Sequence, residues 1–321
     1  MNQSSANVVP TGPTPAGPTT GTTPAPASAN DPRGVLAACI AVSVWGLGPI
    51  FVRQVSSDGL TTGMWRLWMA MPLMHGFAFA TRQRVTAHVW RVALVPGILF
   101  GLDVAANFSA YKLTSIANAS LIPALQPLLV LVMAWPLFGE RVAARTWAIA
   151  TIALGGIVAI VLGGDAGGSA STKGDLLAVF VLLSWTVYFA WMQKLRSQGV
   201  PAWPLITAVM SIAALTITPI ALIGRSGNLP TATDHLWILA TVIGPGMAGH
   251  GLMTWAQRHL SLTTASLLTL ATPAISTVLA WIVFDQTLSA IQVAGTVAVL
   301  AALAEIVRGS QSRATSAAVE E

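Results

Sequence analysis

The chain has 321 residues, 54% of them hydrophobic and only 8% charged, with a mean hydropathy of +0.71. A water-facing surface needs roughly 25% charged residues, so this inventory excludes an ordinary soluble enzyme or binding domain and makes lipid the solvent for most of the chain. The net charge of +5 comes from thinly spread basic residues, which read as topology signals and not as a nucleic-acid patch.

In chain order, residues 1–31 are rich in Pro, Thr, Ala, Gly and Ser and carry no Lys or Arg. They lack the basic start and apolar run of a cleaved signal peptide. They also hold too little apolar surface to offset their ordering entropy, so the sequence predicts a disordered cytoplasmic tail. Ten apolar stretches follow, near the ~20 residues that cross a bilayer: 34–52, 62–80, 92–110, 117–137, 146–162, 175–192, 203–224, 236–255, 265–284 and 290–307. The breaks between them are short, so neighbours run antiparallel. Residues 309–321 form a second polar cytoplasmic tail. The single cysteine, Cys39, lies in the first stretch and has no intrachain partner.

Lys and Arg orient the bundle. With the N-terminus in the cytoplasm, Arg33, Arg82, Arg84, Arg91, Arg141, Arg145, Lys194, Arg196, Arg258, Arg308 and Arg313 collect on the inner side. Only Arg53, Lys112, Lys173 and Arg225 fall outside, with Arg66 left within a span. The positive-inside rule therefore predicts an integral plasma (inner) membrane protein with both termini cytoplasmic.

The chain also repeats itself. A shift of 146 positions carries Ala119-Ser120-Leu121 onto Ala265-Ser266-Leu267, Pro127 onto Pro273, Ala134-Trp135 onto Ala280-Trp281 and Phe138 onto Phe284. A unit with an odd number of helices enters the membrane upside down on its second appearance; Lys112 falls outside and its counterpart Arg258 inside. The predicted fold is thus an all-α membrane protein of ten transmembrane helices arranged as two inverted five-helix repeats, the arrangement that gives transporters two nearly equivalent packings. Duplication with a purely structural role is the alternative.

The run from Ala110-Tyr111-Lys112 to Leu121, with Pro127, Ala134-Trp135, Phe138-Gly139-Glu140-Arg141 and Gly155-Gly156, resembles the EamA-type family of the drug/metabolite transporter superfamily. The pattern returns from Trp255-Ala256-Gln257-Arg258 to Phe284-Asp285. The resemblance covers the chain between its tails, with 34–163 and 174–308 as the two family-like repeats. It implies a ten-helix transporter of amino acids, related metabolites or drugs. The second copy departs from it, with Asp285-Gln286 where the first has Gly139-Glu140.

Ionisable groups deep in a bilayer each ask for a function. Asp103 lies about 16 Å into the third stretch at the helical rise, with Asn107 one turn on along the same face. Asp103 reads as the binding group for a substrate amine or an exchanged proton, or else as a structural hydrogen-bond acceptor. The 146-residue shift places it opposite Gly249, next to His250, so a proton-sensitive pair with His250 is a further expectation, against a histidine merely bonded between helices. Arg66 either snorkels to the headgroups or turns inward to pair with Asp103. Trp45 and Trp185, in the first helix of each half, are candidate walls of a binding site. Glu305 is expected to pair with Arg308. Gly46, Gly48, Pro49, Pro123, Pro127, Gly244, Pro245, Gly246 and Pro273 are candidate helix breaks or hinges.

No phosphate-binding glycine loop, metal-ligand spacing or nucleophile motif is present, so no catalytic residue, metal or cofactor is expected. The reading is a secondary-active transporter of small metabolites, an amino acid or related compound, moved outward by alternating access, with proton coupling as a further hypothesis. Its partners are a small-molecule substrate and the lipid bilayer, not nucleic acid. The alternatives are efflux of lipophilic cations by the same fold or a membrane-embedded lipid-modifying enzyme.

Overall fold

Polar caps, more than the edges of apolar runs, set where the helices begin. The computed structural model describes residues 31–114, 122–139, 141–163, 171–224, 229–284 and 288–319, and every element among them is helical. The first repeat region contains α1 (Pro32–Gly46), α2 (Gly48–Arg53), α3 (Gly59–Ala80), α4 (Ala87–Leu113), α5 (Gln126–Phe138) and α6 (Ala144–Gly163). The second contains α7 (Thr172–Ser197), α8 (Ala202–Gly224), α9 (Ala232–Thr241), a π-helical segment (Val242–Gly249), α10 (His250–Ala256), α11 (Leu262–Leu268), α12 (Ala271–Phe284) and α13 (Ala290–Val319). Asp58, Thr86 and Ser171 accept from Thr61 N, Val89 N and Gly174 N, and Thr231 with Asp234 forms a capping box. These side chains satisfy helix N-terminal donors. They start α3, α4, α7 and α9 three to five residues before the corresponding apolar stretches.

Among the described residues, eight helical stretches are long and apolar enough to cross a membrane: Pro32–Val52, Ala87–Ala110, Ala144–Gly163, Thr172–Ser197, Ala202–Gly224, Ala232–Ala256, Leu262–Val283 and Ala290–Arg308. Of the ten stretches read from the sequence, the other two correspond to α3, of 22 residues, and to the shorter apolar helix Ile122–Pro136. The last helix continues to Val319, through the segment read as a polar tail. Residues 1–30, Ala119-Ser120-Leu121, Glu140 and Asp285-Gln286 lie outside the described residues, as do the side chains of Pro49 and Lys112. Outward-facing side chains are as apolar as the core: Phe79, Leu162, Ile223 and Trp281 are all exposed. Lipid, not water, suits such a surface.

Helices meet most closely where a glycine removes the side chain. α4 lies along α8 with Gly97 against Ile212 and Gly101 against Thr216 and Ala213. α6 crosses α13 at Gly156 and Gly295, each facing the other's carbonyl oxygen. That crossing brings Arg145, at the start of α6, level with Glu305, near the end of the apolar part of α13, and the two form an ion pair. Glu305 therefore pairs across the helix interface and not with Arg308 on its own helix. In the loop before α3, the Ser56 backbone N–H and hydroxyl donate to the Asp234 carboxylate at 2.8 and 2.7 Å, tying that loop to the start of α9.

Two further close approaches lie at opposite ends of α7. At its start, Gly174 sits against Leu113 and Thr114, Thr114 Oγ1 donates to Asp175 at 2.6 Å, and Ser171 N donates to Thr114 Oγ1 at 3.3 Å. Near its other end, the Gln193 amide donates to the carbonyls of Gln257 and Leu260. There Gly34 of α1 sits against His259 and Leu260, and Asp31 N donates to His259 O at 3.0 Å.

The α6–α13 crossing makes a direct test. A Cβ on Gly156 would lie 2.7 Å from the Gly295 oxygen, whereas one on Gly155 would meet nothing within 4 Å. Gly156→Leu is expected to destabilise the protein by about 1–3 kcal/mol through overpacking, and Gly155→Ala to leave stability unchanged, as read by thermal unfolding in detergent.

Candidate functional site

Four helices deliver aromatic and ionisable side chains to one place in the bundle. α1 brings Trp45, α4 brings Phe100 and Asp103, α7 brings Ser184, Trp185 and Tyr188, and α10 brings His250. The imidazole of His250 is buried, with ring centroids 5.0 Å from Trp45, 5.1 Å from Phe100 and 6.0 Å from Trp185. Trp45 and Trp185 meet edge to face at 5.9 Å. Tyr188 stacks on Phe100 at 5.1 Å and lies 5.1 Å from Trp185. Edge-to-face and offset contacts at these separations are attractive beyond the area they bury.

Trp45 is fixed by two features of the second half. Its indole N–H donates to Pro245 O at 3.1 Å, a carbonyl of the π-helical segment. The wider winding of that segment and its proline interrupt the usual backbone ladder. Its ring lies over Gly249, where an added Cβ would come within 2.5 Å of the indole. Only glycine admits the tryptophan there. The shift that pairs Asp103 with Gly249 thus joins two dissimilar environments: a carboxylate in one half, and space filled by an indole in the other.

Asp103 is buried and accepts the Ser184 hydroxyl at 2.7 Å. Ser184 also donates to Val181 O at 3.2 Å, so the hydroxyl hydrogen is shared. Asn107 is half-buried one turn further along α4. Arg66 is half-buried on α3, among the buried residues Thr62, Gly63, Leu67 and Ala70. Among the described residues neither an ion pair nor a hydrogen bond joins Asp103 to Arg66 or to His250. The structure instead places the carboxylate against the Ser184 hydroxyl.

The proline and glycine positions fall at irregular backbone. α1 ends at Gly46 and α2 begins at Gly48, with Gly46 pressed on Ile275 and its carbonyl accepting from Ser276 Oγ at 3.0 Å. Pro123 and Pro127 flank a turn at Leu125, and Pro273 follows the turn at Thr269–Leu270 that separates α11 from α12. Gly244, Pro245 and Gly246 lie inside the π-helical segment.

Sequence reasoning missed Ser184, Phe100 and Tyr188. Phe100 stands one turn before Asp103, and Tyr188 one turn after Trp185, so extending each proposed residue along its own helical face would have found both. Ser184 carries no such signal, because serine is common in apolar helices.

The comparisons with known proteins agree with a membrane carrier of this shape. The model of the EamA-like transporter family matches twice in succession, over residues 32–162 and 172–308. The chain belongs to the EamA-like transporter family. An uncharacterised transporter of Archaeoglobus fulgidus is 23% identical over 269 residues, covering 84% of this chain and 94% of that protein. A solved crystal structure of a protein at 20% identity superposes with a TM-score of 0.74, covering 87% of this chain and 98% of the other, which establishes the likeness of fold. As an EamA-like protein the chain is an integral membrane transporter and not an enzyme.

The Asp103–Ser184 bond gives a measurable coupling. Ser184→Ala is expected to destabilise the protein by about 0.6–1.7 kcal/mol, the range for interhelical hydrogen bonds in membranes, and Ser184→Thr to retain most of it. Asp103→Asn combined with Ser184→Ala should cost less than the sum of the two single changes in a double-mutant cycle of thermal unfolding.

Proposed function

We propose that this EamA-like protein moves a small neutral or zwitterionic metabolite outward across the plasma membrane by alternating access, as ten helices in two inverted halves with both termini cytoplasmic. The observation that carries the reading is the pair of close approaches at the two ends of α7. Gly34 and Gly174 are offset by 140 positions, as are Asp31 and Ser171, and Trp45 and Trp185. Their partners, His259-Leu260 and Leu113-Thr114, are offset by 146. One contact has therefore been built twice, once at each end of the bundle. A further equivalence between the halves supports the same axis: Gly101 of α4 packs on Thr216 of α8, and the counterpart pair, Met247 of the π-helical segment and Ala70 of α3, shares a cluster.

Inverted halves exchange two packings when one such contact opens while its twin holds. With both formed, as here, the rings of the central site touch one another. Opening at one end would part α1 from α10, and opening at the other α4 from α7. Asp103, buried at about 15 Å from the end of α4, suits the amine of a cargo or a proton exchanged for it. The same carboxylate and rings would also hold a lipophilic cation, the second reading within this class.

A side chain forced into either glycine contact tests the mechanism. In a Cys39→Ala background with Asn107→Cys as reporter, Gly174→Val is expected to raise labelling by an impermeant maleimide from the face opposite the N-terminus. Gly34→Val should raise it from the N-terminal face. A rise from one and the same face in both variants removes the two-sided mechanism. For coupling, proton-driven counterflow in proteoliposomes should be lost in Asp103→Asn; an unchanged pH dependence takes protons out of the cycle.

A further inference from the structure

We propose that the Gln126 carboxamide receives a neutral hydrogen-bonding group of the cargo, a carboxamide or a hydroxyl, so that the transported molecule carries such a group besides any cationic one. The proposal rests on the transport reading above and separates its two cargo classes, since a lipophilic cation offers this side chain nothing.

A carboxamide in a packed interior normally has its donor and acceptor met. Gln126 is 2% exposed, yet neither its Oε1 nor its Nε2 has a hydrogen-bond partner among the described residues. The other buried glutamines bridge helices instead: Gln193 donates to the carbonyls of Gln257 and Leu260, and Gln257 donates to Phe189 O. Gln126 does not face lipid. Val130 and Ala134, one and two turns on along its side of α5, are fully buried. An unmet amide in a water-free interior is costly until a polar guest reaches it.

The inverted half repeats the arrangement. The 146-residue offset carries Gln126 onto Thr272, whose hydroxyl oxygen is likewise buried with no hydrogen-bond partner among the described residues. Each residue stands directly before a proline, Pro127 or Pro273. Each also lies about 18 Å from the far end of its helix, at Phe138 of α5 or Phe284 of α12. In a hydrocarbon layer about 30 Å thick, both are near mid-depth.

Neighbouring contacts set the level of Gln126 on α7. Ile122, one turn before it, packs on Ala110 and Ala178. α4 ends and α7 begins here, tied by the Thr114–Asp175 bond, and the chain enters α5 from the same end, so α5 and α7 run in one sense. Gln126 therefore comes level with Leu182, less than a turn before Ser184 and Trp185. The inverted contact gives the same register. α1 and α12 also run in one sense, with Gly34 on Leu260 and Gly46 O accepting from Ser276 Oγ. Thr272, one turn before Ser276, is thus level with Val42, and the offsets of 146 and 140 carry that pair onto Gln126 and Leu182. Ser184 holds Asp103, and Trp185 belongs to the ring cluster, so the unmet amide stands at the level of the central site.

Its chemistry selects the guest. The amide presents a donor and an acceptor side by side, which a carboxamide meets with two reciprocal bonds and a hydroxyl with either one. A carboxylate meets only the N–H and an ammonium only the oxygen, and an uncharged amide neutralises neither.

Purified protein in phosphatidylcholine nanodiscs is titrated with phenethylamine and L-phenylalaninamide while thermal unfolding is followed, at a pH that keeps both amines protonated. The two probes share a ring and a cation and differ by a carboxamide. Wild type should bind L-phenylalaninamide tighter by about tenfold or more, a discrimination that a buried hydrogen-bonding group supplies. Gln126→Met, close in shape but without the amide, should bind the two alike, and Gln126→Asn, which keeps a carboxamide, should recover part of the preference. Without ligand, Gln126→Met should unfold at or above the wild-type temperature, because it removes an unmet polar group. A lower temperature means that the amide is bonded within the protein and overturns the proposal. The wild-type ratio persisting in Gln126→Met also overturns it, as expected of an amide met only by a trapped water. Equal binding of the two probes by wild type, or no shift with either, has the same force, while Asn107→Cys labelling in the two glycine variants judges the transport reading separately.

Discussion

Lipid gives helices no hydrophobic reason to associate, so the bundle depends on how closely two backbones can approach. Glycine decides that distance. Gly97 and Gly101 seat α4 on α8, Gly156 and Gly295 interlock α6 with α13, and Gly34 and Gly174 clasp the two ends. Each is a place where an added Cβ would strike a neighbouring helix. Dispersion attractions over such stretches are individually small and collectively large.

Polar groups then specify which helices face one another. A buried carboxylate cannot turn to lipid, so Asp103 commits α4 to Ser184 of α7, and Asp234 commits the start of α9 to Ser56 before α3. The amides of Gln193 and Gln257 do the same work between α7 and the turn after α10: Gln193 donates to carbonyls left free where α10 ends, and Gln257 donates back to Phe189 O within α7. The two amides donate to backbone carbonyls, and so they fix position without demanding a matched partner side chain.

Composition and repeat were enough to read a membrane bundle from the residues, because apolar run length and a 146-residue offset survive in sequence without any knowledge of packing; its family came from the resemblance carried by the run from Ala110 to Gly156. Helix starts were less legible: Asp58, Thr86 and Ser171 are polar and look like loop, yet as caps they belong to the helices they begin. The pairing of Glu305 with Arg145 was invisible for a different reason. An i,i+3 partner on the same helix is the only one spacing can suggest, and the α6–α13 crossing is a tertiary fact. Trp45, Trp185, Asp103 and His250 could be named from sequence; the indole lying over Gly249 could not, since a glycine announces close approach without saying to what.

Duplication supplies two copies of a frame, and recognition requires that the copies differ. Where the frame matters the two halves keep the same chemistry, glycine against a helix end at Gly34 and at Gly174. Elsewhere they diverge: Asp103 stands opposite Gly249, Arg66 opposite Ile212, and Ser184 opposite Val44 under the offset that relates Trp45 to Trp185. A symmetric site would place two carboxylates or two guanidiniums in one low-dielectric space, where like charges repel strongly. Substituting one member of each pair by a small or aliphatic residue keeps the equivalent packing and removes that repulsion. The substitutions leave the buried carboxylate of Asp103 against Ser184 in a frame whose end contacts stay equivalent.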